Sequence, residues 1–119
     1  MGFVEAVTTV LGKYATFSGR AARSEYWYWV LFSVIVAIVA GVIDYMLFPR
    51  IPINPAGTIT SLALLLPGLG VAVRRLHDTD RTGWWLLLVL TVIGDILLIV
   101  WFCMKGTTGP NRYGPDPIP

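Results

Sequence analysis

Apolar side chains fall at Phe3, Val4, Val7, Val10, Leu11, Tyr14 and Phe17, while Glu5, Thr8, Thr9, Gly12, Lys13 and Thr16 take the other positions. Spacing by threes and fours predicts an amphipathic helix over residues 3–17, lying in a membrane interface. Ser18-Gly19-Arg20 ends that pattern, and Ser24 followed by Glu25 suits the start of a new helix, a hydroxyl to cap it and an acid to match its dipole. Tyr26 to Ile43 then runs for 18 residues without a charge, about 27 Å of helix against a hydrocarbon thickness of roughly 30 Å. A first transmembrane helix is predicted over 26–48, with Tyr26, Trp27, Tyr28 and Trp29 forming an aromatic belt at one end and Tyr45 and Phe48 at the other.

Three prolines between Pro49 and Pro55 force a turn. A second transmembrane helix is predicted over 57–73, shortened or kinked by Pro67, Gly68 and Gly70. Arg74 to Gly83 follows as a polar loop with five charged residues and the only histidine. Trp84 to Met104 is a third apolar run of 21 residues, predicted as a third transmembrane helix with Asp95 near its midpoint. Its leucines, isoleucines and valines outweigh the roughly 2.5–3.5 kcal/mol that a central Asp costs on insertion. Residues 105–119 form a Gly- and Pro-rich tail, ordered only through contacts. The fold class is all-α: one membrane domain over 1–119, with three transmembrane helices preceded by an interfacial helix.

Composition agrees with that class. Of 119 residues 55% are hydrophobic and 13% charged, about half the charge of an ordinary soluble domain. The first apolar block is too long for a signal-peptide core and lacks a small-residue cleavage pattern, so it is read as retained. Cys103 is the single cysteine, which excludes an internal disulfide, and a net charge of +2 makes no case for nucleic acid. Lys13, Arg20, Arg23, Arg74, Arg75 and Arg81 lie on the N-terminal side of the predicted spans, with Arg50, Lys105 and Arg112 opposite. The N-terminus is therefore expected in the cytoplasm, and three crossings put the tail outside, where its two cations are poorly placed.

Gly19-Arg20 with Arg23 and Tyr26-Trp27, Arg74-Arg75-Leu76-His77-Asp78, Gly83-Trp84-Trp85, and a tail carrying Gly109, Asn111-Arg112-Tyr113-Gly114 and Asp116-Pro117 form a signature. The chain resembles, from about Tyr14 to Pro117, the domain of unknown function 805 family of small bacterial inner-membrane proteins. The resemblance implies a bacterial inner-membrane location and brings no activity with it. Thr82 stands where that family commonly has serine. Asp95 stands in a stretch that is usually apolar there, which implies that it serves no shared role.

Candidate chemistry centres on Arg20, Arg23, Arg74, Arg75, His77 and Arg81, which the topology brings to the cytoplasmic headgroup level. Guanidinium groups bind phosphate in bidentate fashion, so this set is a candidate site for anionic phospholipid. The plainer reading is that the arginines pair with Glu25, Asp78 and Asp80. His77 and Asp78 are adjacent on a helix and do not face each other, which argues against an acid–base pair. One histidine and one distant cysteine make no metal site, and Ser24, Ser33 and Ser61 lack a nucleophile context. No catalytic residue, metal or cofactor is assigned. Asp95 and Asp44 are candidate intramembrane polar contacts or ion sites. The favoured reading is a non-enzymatic membrane module acting on anionic lipid or a membrane-protein partner, as a homo-oligomer or docked on another chain. The alternative is a small oligomeric transporter or channel subunit using the two aspartates.

Overall fold

The computed structural model describes residues 2–117. Among them the regular elements are helical: α1 (Phe3–Gly12), α2 (Arg23–Leu47), α3 (Pro55–Asp78), a 3-10 helix (Gly83–Leu90) and α4 (Val92–Cys103). α2 and α3, of 25 and 24 residues, are the two long enough and apolar enough to cross a membrane. At 1.5 Å per residue each spans about 36 Å.

α1 ends at Gly12, short of the Phe17 that the apolar spacing reaches. The chain turns after Lys13 because residues 13–22 must carry it across to α2, and the Thr16 carbonyl packs where Gly70 has no side chain: a Cβ there would lie 3.0 Å from that oxygen. The buried stripe of α1, Ala6, Val7 and Val10, is covered by this chain itself. Val7 and Val10 pack with Ala21, Trp29 and Val71, and Phe3, Tyr26, Phe32 and Leu64 close around them.

α2 starts at Arg23, so Ser24 lies inside its first turn and caps nothing; the N-cap is Ala22. α3 is not shortened: it runs unbroken through Pro67 to Asp78, so the first half of the segment read as a polar loop, residues 74–78, is its last turn and only residues 79–82 are loop. Proline removes one N–H and orphans the carbonyl four residues earlier. Here that carbonyl belongs to Ala63, and the Tyr14 hydroxyl donates to it at 2.8 Å. The loop between α1 and α2 thus repairs the defect in α3. At its other end α3 is capped from α2, because the Ala56 and Gly57 amides donate to Asp44 Oδ1 and Oδ2 at 2.8 and 3.0 Å.

The third apolar run is not one helix, which corrects the span predicted over 84–104. Thr91 takes an extended conformation, ends the 3-10 helix, and accepts the Gly94 amide at 2.9 Å on its own hydroxyl, starting α4 afresh. A Cβ on Gly94 would collide with the Leu88 carbonyl and the Thr91 hydroxyl, so the reversal needs glycine there. The two halves fold back on each other: Trp85, near the entrance, meets Trp101, near the exit, edge to face at 5.6 Å. Leu98 and Phe102 seat this hairpin on Ala72 and Leu76 of α3, with Leu86 and Leu88 alongside. Eight 3-10 residues and twelve α residues cover only about 16 and 18 Å.

Candidate functional site

The tail returns to the C-terminal end of α3, and the signature residues meet there. Asp78 is the centre. Its carboxylate accepts Arg20 Nε at 3.0 Å on Oδ1 and Arg75 Nη1 at 2.6 Å on Oδ2, with all three side chains buried. The remaining donors of Arg20 go to backbone carbonyls of the tail: Nη1 to Gly109 at 2.6 Å, Nη2 to Thr107. Arg75 reaches the end of α4, with Nε donating to the Phe102 carbonyl at 3.2 Å and Nη2 to that of Met104. Two guanidiniums and one carboxylate therefore bind α3, the exit of the hairpin and the tail into one knot. Gly106 passes so close that a Cβ would strike the Asp78 carboxylate, while the Thr107 amide donates to the Asp78 carbonyl at 2.7 Å.

Arg74, one turn before Asp78 on α3, pairs with α2 rather than with the tail. It is fully buried and donates from Nη1 to Glu25 Oε2 at 2.7 Å, a single-pronged pair. Its Nε and Nη2 have no acceptor among the described residues. His77 and Asp78 diverge as neighbours on a helix must. The ring Nδ1 meets the Gly19 carbonyl at 2.9 Å, where it donates, and the ring lies flat on Tyr113 with centroids 4.0 Å apart. The backbone carbonyl of His77 accepts Asn111 Nδ2 at 2.9 Å.

The six residues assigned to anion binding thus fall into two groups. The guanidiniums of Arg20, Arg74 and Arg75 are buried and engaged within the chain, and His77 is buried beneath Tyr113. Arg23 is exposed, with one donor on the Cys103 carbonyl at 3.2 Å. Arg81 is half-buried, its guanidinium 4.4 Å above the Trp101 ring. Lys13, Lys105 and Arg112 join the exposed set; Arg112 pairs openly with Asp80 at 3.2 Å.

Asp44, buried, spends both carboxylate oxygens on the start of α3. Asp95 lies in the first turn of α4, half-buried, and its carboxylate makes no hydrogen bond among the described residues. The two aspartates belong to different elements and are not joined by any contact described. No group of three His, Cys, Asp or Glu side chains among the described residues is placed to hold a metal ion.

Sequence reasoning missed the tail's role. Thr107, Gly109 and Gly114 act through backbone carbonyls, which no side-chain pattern announces. Asn111 and Tyr113 stood in a motif, but their partner, His77, is 34 and 36 positions away and was expected across the membrane.

Comparison with known proteins bears on the same residues. The family described as "Protein of unknown function (DUF805)" matches residues 14–115. Inner membrane protein YhaI of Escherichia coli K12 is 47% identical over 110 residues, covering 92% of each chain. Inner membrane protein YhaH of the same strain is 44% identical over 114 residues, covering 91% of this chain and 92% of its own. Uncharacterized protein YiiR is more distant, 28% identical over 131 residues and 85% of each chain. No solved structure matches. The matched region runs from Tyr14, which mends α3, to Pro115 beyond the Gly114 carbonyl that Arg20 reaches, and so contains the whole knot; the chain belongs to the DUF805 family.

Proposed function

We propose that this chain is a two-span inner-membrane module with a re-entrant helical hairpin, both termini cytoplasmic, that presents a rim of cations to anionic lipid headgroups. One observation carries the proposal: the knot ties residues 20, 75, 78, 102, 104, 107 and 109 together at one end of the molecule. The chain between α3 and the tail must then cross the bilayer an even number of times, and two half-length helices that reverse at Thr91 fit entry and return on the same side. Of the nine Lys and Arg residues, all but Arg50 then belong to that end, a bias that favours the cytoplasm far more strongly than three crossings did.

In this reading the buried arginines are scaffold and the exposed cations are the lipid contact. Lipid tails are as apolar as leucine, so apolar contact gives helices in a bilayer little reason to associate with one another; polar bonds and close packing fix the arrangement. Arg20, Arg75 and Asp78 supply that fixing, and Arg23, Lys105, Arg112, Lys13 and Arg81 surround it. The role is non-enzymatic, and the unbonded Asp95 carboxylate is reserved for a second copy or a partner helix.

Two measurements test this. Single cysteines at Asp80 and Thr108, in a Cys103→Ser background, should react with a membrane-impermeant maleimide from the same, cytoplasmic face; labelling from opposite faces refutes the re-entrant hairpin. Each surface cation near an anionic bilayer contributes about 1 kcal/mol, roughly fivefold. Arg23→Gln with Lys105→Gln should therefore lower the preference for phosphatidylglycerol over phosphatidylcholine nanodiscs by about 25-fold, and an unchanged preference removes the headgroup reading.

A further inference from the structure

The seam between α2 and α3 below the knot carries a second feature. Trp29 is only 3% exposed, and a buried indole N–H ordinarily finds an acceptor. Even the exposed Trp27 donates its Nε1 to a carbonyl, that of Phe102 at 3.1 Å. Trp29 Nε1 donates to no group among the described residues, and it is not sealed off as the Arg74 nitrogens are: it keeps accessible surface. The nitrogen faces the gap left by Gly68, where a Cβ would lie 3.5 Å away.

That gap opens on both sides. One cavity, of about 360 Å³, runs along Trp29, Ser33, Ala37, Thr60, Leu64 and Gly68. The other, of about 350 Å³, shares Trp29, Ser33, Ala37 and Gly68 and continues past Tyr26 and Ala72. Each reaches the lower end of the 300–1,000 Å³ typical of small-molecule pockets. The Ser33 hydroxyl donates to the Trp29 carbonyl and Thr60 Oγ1 to the Ala56 carbonyl, so neither needs a ligand. Ser61 also lines the first cavity but is exposed, so the unspent polar feature among the buried lining side chains is one donor in an apolar slot, which suits an extended hydrocarbon chain bearing one carbonyl acceptor.

We infer that the α2–α3 seam binds an acyl chain of a bilayer phospholipid, its ester carbonyl accepting the Trp29 indole N–H. The depth argument rests on the topology proposed above. Trp29 lies six residues, about 9 Å, along α2 from Arg23, just beneath the cations assigned to the phosphates, where ester carbonyls sit. From there the slot extends to Ala37, about 12 Å deeper, in the direction an acyl chain takes. A free phosphate has no use for the slot, and an unfunctionalised hydrocarbon leaves the indole unpaired.

Native mass spectrometry of the full chain, released from nanodiscs of phosphatidylcholine alone, reads this directly. The expected result is one retained phospholipid per chain. Trp29→Phe keeps the ring and loses the donor, and should lower retention about three- to tenfold, the value of one hydrogen bond. Gly68→Leu fills the slot and should abolish retention. Gly68→Ala adds a Cβ in ordinary contact and should retain the lipid, showing that a folded seam suffices. Trp84→Phe, on an indole that is 80% exposed, should change nothing. A wild-type chain without an adduct overturns the inference, as does full retention by Trp29→Phe and Gly68→Leu. So does an adduct with the mass of an isoprenoid rather than an ester lipid, or a dimer that Gly68→Leu dissociates. Because the lipid is zwitterionic, Arg23→Gln with Lys105→Gln leaves this adduct in place while weakening headgroup preference, so the two proposals fail separately.

Discussion

Arg74 and Glu25 form a buried ion pair whose energetics follow from its geometry. Arg74 is fully buried, Glu25 is 3% exposed, and one hydrogen bond of 2.7 Å joins them. Two further guanidinium nitrogens have no partner among the described residues. Glu25→Leu leaves a buried guanidinium with no counter-charge, a change that costs about 3–5 kcal/mol. Arg74→Met leaves a buried carboxylate but also removes two unsatisfied donor groups, each worth about 1–3 kcal/mol of penalty, so it should cost less than Glu25→Leu. Replacing both together removes every uncompensated charge and should be neutral, or stabilising by about 1–4 kcal/mol. SDS titration of the detergent-solubilised chain, followed by tryptophan emission, gives the four free energies of the cycle. The exposed Arg112–Asp80 pair, with side chains 59% and 48% exposed, is the internal standard and should be worth under about 1 kcal/mol. Equal and small costs for Glu25→Leu and Arg74→Met, or a double variant worse than Glu25→Leu alone, refute the reasoning.

Three further outcomes are expected. Tyr14→Phe should cost about 1 kcal/mol in the wild type and nothing once Pro67→Ala has returned the missing N–H to the Ala63 carbonyl, a coupling read by the same titration. Gly106→Ala should displace the Asp78 carboxylate from Arg20 and Arg75, at about 3–5 kcal/mol, with the tail becoming sensitive to added protease. Asp44→Leu should fray the first turn of α3, seen as faster amide exchange at Ala56 and Gly57, and cost about 0.5–2 kcal/mol.

The two long helices were legible because a charge-free stretch of bilayer length is a composition signal, and the Tyr26–Ile43 stretch lies wholly inside α2. Their inner ends were not. Arg74 to Asp78 read as a loop because charge density ordinarily means solvent; here Arg74 meets Glu25 49 positions away, Asp78 meets Arg20 58 positions away, and Arg75 meets Asp78 and the Phe102 carbonyl, so the helix continues into the interior. Pro67 read as a break because the donor that replaces its N–H comes from Tyr14. The reversal at Thr91 left a faint trace, a hydroxyl residue followed by an acid within one turn, the usual mark of a helix start. Hydropathy alone hid it, since a straight span and a hairpin of equal length score alike. Membership of the candidate site was legible as a set of residue types, whereas the division into buried scaffold and exposed rim depended on pairings that only folding reveals.

The clasp on Arg20 has a consequence for biosynthesis. Arg20 leaves the ribosome 89 residues ahead of the Gly109 carbonyl that satisfies it, and α2 and α3 are both complete before that oxygen exists. During translation the growing chain must hold a cation near the membrane with its final acceptors still unmade, so closure is the last event of assembly. A chain stopped before Thr107 keeps both long helices and lacks every tail carbonyl that Arg20 holds.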